Sequence, residues 1–284
     1  MVLPKKKLQP PIFLVILGIF IIYFLIKNIS GSVFLKNKDR INIVFYSENS
    51  SFFSLSKHDV NYLINFPSSI EVLVPGGYGK YKVGAIGKLI SLENKYDLFN
   101  KVFSGATSSF VDLYFYPGKT EIYYENLNNS SLPKIDEILL SKSNANFVDR
   151  LFLLSKLVDR NQSNYKIISL DKALFDQDQF NKDFQGSFYK KSYRKIGSNV
   201  QIIYTKSYST AYFISQIING EGIRVVDLSQ SNENAHGCQI ITKKIDLVGQ
   251  ALKDFFGCSI KVGETPVSDI ILKLGSLEKD WAVK

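Results

Sequence analysis

The sequence predicts an α/β (α+β) protein behind a single N-terminal transmembrane helix. Three observations predict it. Residues Pro11 to Ile26 read PIFLVILGIFIIYFLI without a charge. Beyond them, short strand-like runs interleave with amphipathic helical patterns, as in a mixed sheet covered by helices. The composition, 45% hydrophobic and 21% charged over 284 residues, is that of a chain able to bury a core and argues against disorder.

The N-terminus is taken first. Residues 1–10 form a short basic head, expected in the cytoplasm, and 11–29 the membrane span. At about 1.5 Å per residue the uncharged run is slightly short for a bilayer core of about 30 Å. Leu8 and Ile29 extend it once Lys27 snorkels to the headgroups. Lys5, Lys6 and Lys7 favour an N-inside anchor with the bulk of the chain extracytoplasmic. Lys27, Lys36, Lys38 and Arg40 follow the span, so the count of charges alone does not decide. A cleaved signal peptide ending near Ser30-Gly31-Ser32 is the rival reading. Residues 30–39 read as a polar tether.

The exported part divides in two. A first domain, 40–206, holds strands at 40–46, 60–66, 70–74, 111–116, 165–170 and 200–204. Its helices are expected from Val83 to about Leu92, over 97–104, and over 147–158. Pro75-Gly76-Gly77-Tyr78-Gly79 reads as a tight turn; it lacks the Lys-Ser/Thr of a phosphate-binding loop. Residues 117–133 read as an Asn- and Ser-rich loop. A linker helix, 207–221, leads to a small α/β unit, 222–276, with strands at 223–228, 238–242, 259–262 and 268–274 around a helix at 245–256. Residues 277–284 are a tail. Cys238 and Cys258, at the starts of two strands, are expected to pair if the domain is exported, the alternative being two buried thiols.

The net charge is +9, from 35 Lys and Arg against 26 Asp and Glu. These charges are scattered, apart from Lys5–Lys7, and no DNA-binding motif appears, so nucleic acid is not an expected partner. An anionic membrane surface or envelope polymer suits the charge, as does a merely solvated basic surface. His58 and His236 sit in no triad-like context, and no cofactor or metal site is expected.

Two stretches carry a resemblance. INIVFY, Phe66-Pro67-Ser68-Ser69 and Tyr81-Lys82-Val83-Gly84-Ala85 follow one another like the first strand, the IPRD motif and the Lys-Ile-Asn-Ala helix start of the LytR–CpsA–Psr family of membrane-anchored cell-envelope proteins. Asn146 to Arg150 weakly resembles that family's later DFGR segment. Gly222 to Gly275, with IRVVDLS, FFGCSIKVG and SDIILKLG in order, looks like the LytR C-terminal domain. The resemblance implies transfer of lipid-linked glycopolymers to peptidoglycan, with Arg holding a diphosphate and Asp a divalent metal. This chain departs at those positions. Ser47-Glu48-Asn49 replaces the glycine-and-aspartate segment, Ser68 and Ser69 replace Arg and Asp, and Asp149 stands for the first Arg of the later segment. A neutral Ser supplies no bidentate charge to a phosphate. The expectation is therefore a binding or scaffolding relative without catalysis. Lys80, Lys82 and Arg150 are candidates for holding an anionic polymer or a polyprenyl-phosphate lipid, and a divergent transferase built on the same three residues is the alternative.

Overall fold

The computed structural model describes residues 10–36, 39–124, 132–157, 161–170, 176–232 and 237–283. Residues 1–9 of the expected head at 1–10, Lys38 and His236 lie outside these residues. Helix α1 (Pro10–Gly31) carries the apolar run and continues past the expected end at residue 29. Its window Phe13–Gly31 has a mean hydropathy of 2.3 and none of it is buried. A helix apolar on every face and exposed along its window has the length and composition to cross a bilayer.

The expected tether is a docked element. After Ser32 the chain forms the single turn α2 (Val33–Lys36). Ser32 Oγ donates to Asp149 Oδ1 at 2.7 Å, and the Phe34 amide donates to the same oxygen. Asn146 Nδ2 donates to the carbonyl of Asn28 in the last turns of α1. Within the expected tether at 30–39, the Ser32 side chain is polar because it holds Asp149, and Ser30 bonds back to the Lys27 carbonyl.

The first unit follows with β1 (Arg40–Phe45), β2 (Ser50–Ser56) and β3 (Tyr62–Phe66), an antiparallel meander. A separate ribbon pairs β4 (Glu71–Val74) with β5 (Gly79–Lys82). Then come α3 (Val83–Glu93), α4 (Leu98–Thr107), β6 (Leu113–Tyr116), α5 (Ile135–Leu140), β7 (Lys142–Ser143), α6 (Phe147–Leu157), β8 (Lys166–Ser169), α7 (Gln177–Phe184) and α8 (Lys191–Ile196). The main sheet runs β7-β6-β1-β2-β3-β8. All six residues of β1 are buried because both faces are covered. Val44, with Phe52 and Ile64 of the next strands, packs among residues of α3 and α4. Ile41, Ile43 and Phe45 face Leu153 and Leu157 of α6 on the other side.

The second unit contains β9 (Asn199–Tyr204), α9 (Tyr208–Gly220), β10 (Arg224–Gln230), β11 (Gln239–Thr242), α10 (Leu247–Phe256), β12 (Ser259–Val262), β13 (Ile270–Lys273) and α11 (Leu277–Asp280). Its sheet runs β10-β9-β13-β11-β12. The expected boundary at 222 therefore moves. Strand β9 pairs in parallel with both β10 and β13, so it belongs to this sheet. Helix α9 is the crossover of a β-α-β unit, and its Ala211, Ile214, Ile217 and Ile218 are wholly buried in the second core. Pairing of β9 with a strand some seventy residues later (its Asn199 also bonds Asp269 across that separation) leaves no local trace in sequence. Ser207 caps α9 and Asp246 caps α10, each accepting from a first-turn amide.

Cys238 and Cys258 form a disulfide that fastens the starts of β11 and β12 across α10. Reduction is expected to lower the unfolding free energy by roughly 3 kcal/mol, the chain-entropy value for a loop of this length. Urea denaturation followed with and without reductant checks it; an unchanged midpoint would contradict the estimate.

A buried ionic cluster joins the two units. Lys190 Nζ lies 2.8 Å from Asp112 Oδ1 and 3.1 Å from Glu221 Oε1. The Phe110 amide donates to Glu221 Oε2. Asn42 of β1 donates to the carbonyls of Phe110 and Phe188. Burial pushes the Glu221 carboxyl up to about 7, against the attraction of Lys190. Burial also opposes the charge on Lys190, but Asp112 and Glu221 outweigh it and raise its pKa. One ammonium cannot neutralise two buried carboxylates. The native state thus holds a proton on Glu221 that the unfolded state releases near 4.5. Stability from this group is complete below 4.5 and is lost as pH rises through 7. The folded protein is expected to be more stable at pH 5.5 than at pH 8, and Glu221→Gln to flatten that slope, in urea titrations across the range.

Candidate functional site

The three candidate cations do not converge. Arg150, on α6, donates to the carbonyls of Ile138, Leu139 and Ser141. These are groups that the end of α5 leaves without helical partners. The guanidinium also lies over the Phe115 ring at 5.3 Å, and burial lowers its pKa from the usual value. Arg150 is thus committed to capping α5. Lys80 and Lys82 are exposed on one face of β5, with Lys82 opposite Glu71 in the ribbon. Lys80 reaches the rim of a groove that neither Lys82 nor Arg150 lines. Glu48 is exposed in the β1–β2 turn, and His58 follows β2 on the surface.

The segment after β3 is closed by aromatic packing. Ser68 is buried; its carbonyl accepts from the Gly84 amide. The hydroxyls of Ser68 and Ser69 are buried without a hydrogen-bond partner among the described residues. Tyr46, at the end of β1, sends its phenol into the first turns of α3. It donates to the Gly84 carbonyl and accepts from the Gly87 amide at 2.8 Å. Burial pushes the Tyr46 phenol well above its usual pKa. Tyr46 also stacks near Phe99 and Tyr123. The two glycines make this possible. A Cβ on Gly84 would lie 2.1 Å from the Tyr123 carbonyl oxygen, and one on Gly87 2.4 Å from the Tyr46 ring. Gly87→Ala is expected to cost about 1–3 kcal/mol through overpacking. Urea denaturation checks the loss, and Gly79→Ala, at a position with open space around it but positive φ, separates backbone strain from crowding.

The Pro75–Tyr78 turn is likewise engaged. Gly76 and Gly77 have φ of 91° and 83°, which a side chain would resist. Their amides both donate to the carbonyl of Ala282 at 3.0 and 2.9 Å. The C-terminal end of the second unit occupies the donors that an anion would need.

The larger opening is a groove of about 830 Å³ between the β4–β5 ribbon, α4, α7 and α9. Among the described residues its charged lining is Glu71, Asp176 and Asp178 against Lys80. Asp176 is spent on capping α7. Gln177 donates to the Ala106 carbonyl, and Asn181 accepts from Ser108. Tyr212 and Phe213 supply aromatic faces, and the unpartnered Ser69 hydroxyl also lies on this wall. A wall with three carboxylates and no Arg does not neutralise a diphosphate. No group of three His, Cys, Asp or Glu side chains among the described residues is placed to hold a metal ion. The groove offers apolar and aromatic contact with scattered amide and hydroxyl groups, which suits a neutral, hydroxyl-rich ligand.

No protein-family model, curated protein or solved structure matches the chain. The likeness to the LytR–CpsA–Psr proteins therefore rests on the motif order in the sequence. Sequence reasoning missed α7, which forms one wall of the groove. Its signal was present: Asp176 as cap, then Phe180 and Phe184 one turn apart, packed together at 5.1 Å.

Proposed function

We propose that the chain is a membrane-anchored, extracytoplasmic envelope protein that binds a polymer and does not transfer it. The apolar helix α1 and the Cys238–Cys258 disulfide favour an anchored domain on the oxidising side of the membrane. The observation that carries the non-catalytic part is Arg150. Its guanidinium is held by three backbone carbonyls, and Ser68 and Ser69 bring no charge. Among the described residues the three candidate cations form no set that would stabilise a transferring phosphoryl group. The acidic lining of the groove favours a neutral stretch of polymer over a phosphate-bearing one. Incubation of the purified full chain with a radiolabelled lipid-linked glycopolymer and peptidoglycan is expected to give no transfer. Transfer that Arg150→Ala abolishes would instead establish the divergent transferase.

A further inference from the structure

We propose that the protein makes a second membrane contact, in which α2, α5 and α6 seat on the anionic leaflet where α1 emerges. This inference rests on the anchored reading above. It starts from the docking of α1 on the domain. Asn146 bonds the Asn28 carbonyl, and Ser32 bonds Asp149, so the N-terminus of α6 abuts the end of the apolar helix. Phe34 follows Gly31 by three peptide units, at most about 11 Å of chain. The polypeptide therefore cannot lift α6 away from the surface that α1 leaves.

The side chains at that place are apolar and uncovered. Leu140 is 82% exposed and Phe147 51% exposed, and Leu35, Leu139 and Leu151 are exposed beside them. Phe147 and Leu151 lie one helical turn apart on α6. Leu139 and Leu140 end α5, which Arg150 ties to α6 through its carbonyls. Exposed apolar side chains on elements packed against one another, α2 and α5 against α6, mark an interaction surface. Its continuity with a bilayer-length helix identifies the occupant as lipid. Interfacial apolar side chains of such elements enter the headgroup and acyl boundary by about 5–10 Å.

A cavity of about 330 Å³ opens in the same place. Phe34 and Phe152, stacked at 5.7 Å, line it with Ile41 and Leu55. Lys57 and Lys156, both exposed, contribute to its lining, and Lys36 is exposed on α2. Arg40 in its wall is engaged with Ser54 and the Val60 carbonyl. Asp39, the one carboxylate among its described lining residues, accepts from the Ser192 amide. An apolar pocket with free-standing ammonium groups at its edge fits one acyl chain with its phosphate held by the lysines. The ligand class is an anionic glycerophospholipid.

The test uses the full chain in phosphatidylcholine vesicles with and without phosphatidylglycerol. Both native cysteines are paired, so a single introduced cysteine carries a nitroxide at Leu140→Cys, Phe147→Cys or the control Val267→Cys. Labels at 140 and 147 are expected to collide with oxygen and to be shielded from a water-soluble nickel chelate. The label at 267 should show the reverse. Lys57→Glu with Lys156→Glu should reduce the shielding gained with phosphatidylglycerol at least twofold. Nickel access at 140 and 147 equal to that at 267, in chain that resists alkaline carbonate, would overturn the seat and leave the anchor intact. Release by carbonate would overturn the anchor, and the seat with it. Shielding that ignores phosphatidylglycerol and both lysine changes would overturn the anionic-lipid assignment.

Discussion

Replacing Lys190 by Met is expected to lower the unfolding free energy by about 3–5 kcal/mol, the usual cost of removing one partner from a buried ionic cluster. Met keeps most of the stem volume, so the loss isolates the charge. Without the ammonium, Asp112 and Glu221 face each other in a site where Glu221 is 0% exposed. Glu221 is then shut off from water with the Phe110 amide as its donor in this junction, while Asp112 keeps the Asn42 amide. The neighbouring Lys191 provides the contrast. It pairs with Asp59 at 3.1 Å, but both side chains are substantially exposed. Lys191→Met should change stability by less than about 1 kcal/mol. Urea denaturation of the full chain in detergent at pH 8 measures both. Adding Glu221→Gln to Lys190→Met should return part of the loss, because it removes the uncompensated charge. Equal effects for the two lysines would contradict the assignment.

Phe110→Ala is the second large effect, again about 3–5 kcal/mol. Phe110 precedes β6 in the first unit, yet its ring belongs to the core of the second. It stacks on Phe255 at 3.9 Å and meets Phe256 edge-on. Its amide reaches Glu221 and its carbonyl holds Asn42. Truncation leaves a cavity between the units that neither can close alone. Trp281, the one tryptophan, is buried in the second core and reports on that unit. Its fluorescence and the far-ultraviolet signal of the whole chain are expected to unfold together in the parent protein. Both should shift to lower urea in Phe110→Ala. Two separated transitions in the parent would show that the junction does not couple the units.

The regular, strongly periodic elements were readable from the sequence. The helix expected at 147–158 is α6, Phe147–Leu157, and that expected at 245–256 is α10, Leu247–Phe256. Strand β2 was not readable. Its sequence, SSFFSLS, shows no sustained polar–apolar alternation, because Ser50 and Ser54 are buried and hydrogen-bonded; Ser54 bridges Asn42 and Arg40. The mistaken boundary at 222 has a different cause: β9 is defined by partners distant in the chain. The candidate site was the least readable part. A lysine or arginine looks the same in sequence whether it meets a ligand or a set of carbonyls. Arg150 meets the carbonyls of α5, and Lys190, one of several basic residues in a row, is the ion that joins the two units.

That junction also sets a schedule for synthesis. Phe110 and Asp112 leave the ribosome well before the groups that complete them. The carboxylate that accepts the Phe110 amide comes 111 residues later. At about 5–20 residues per second the interval is roughly 6–20 seconds. During it β6, β7 and β8 complete the first sheet, while an aromatic ring and an acidic side chain await their partners. On the anchored reading proposed above, a chain held by α1 would spend that interval beside a lipid surface, which would shelter the ring until the last third of the sequence arrives.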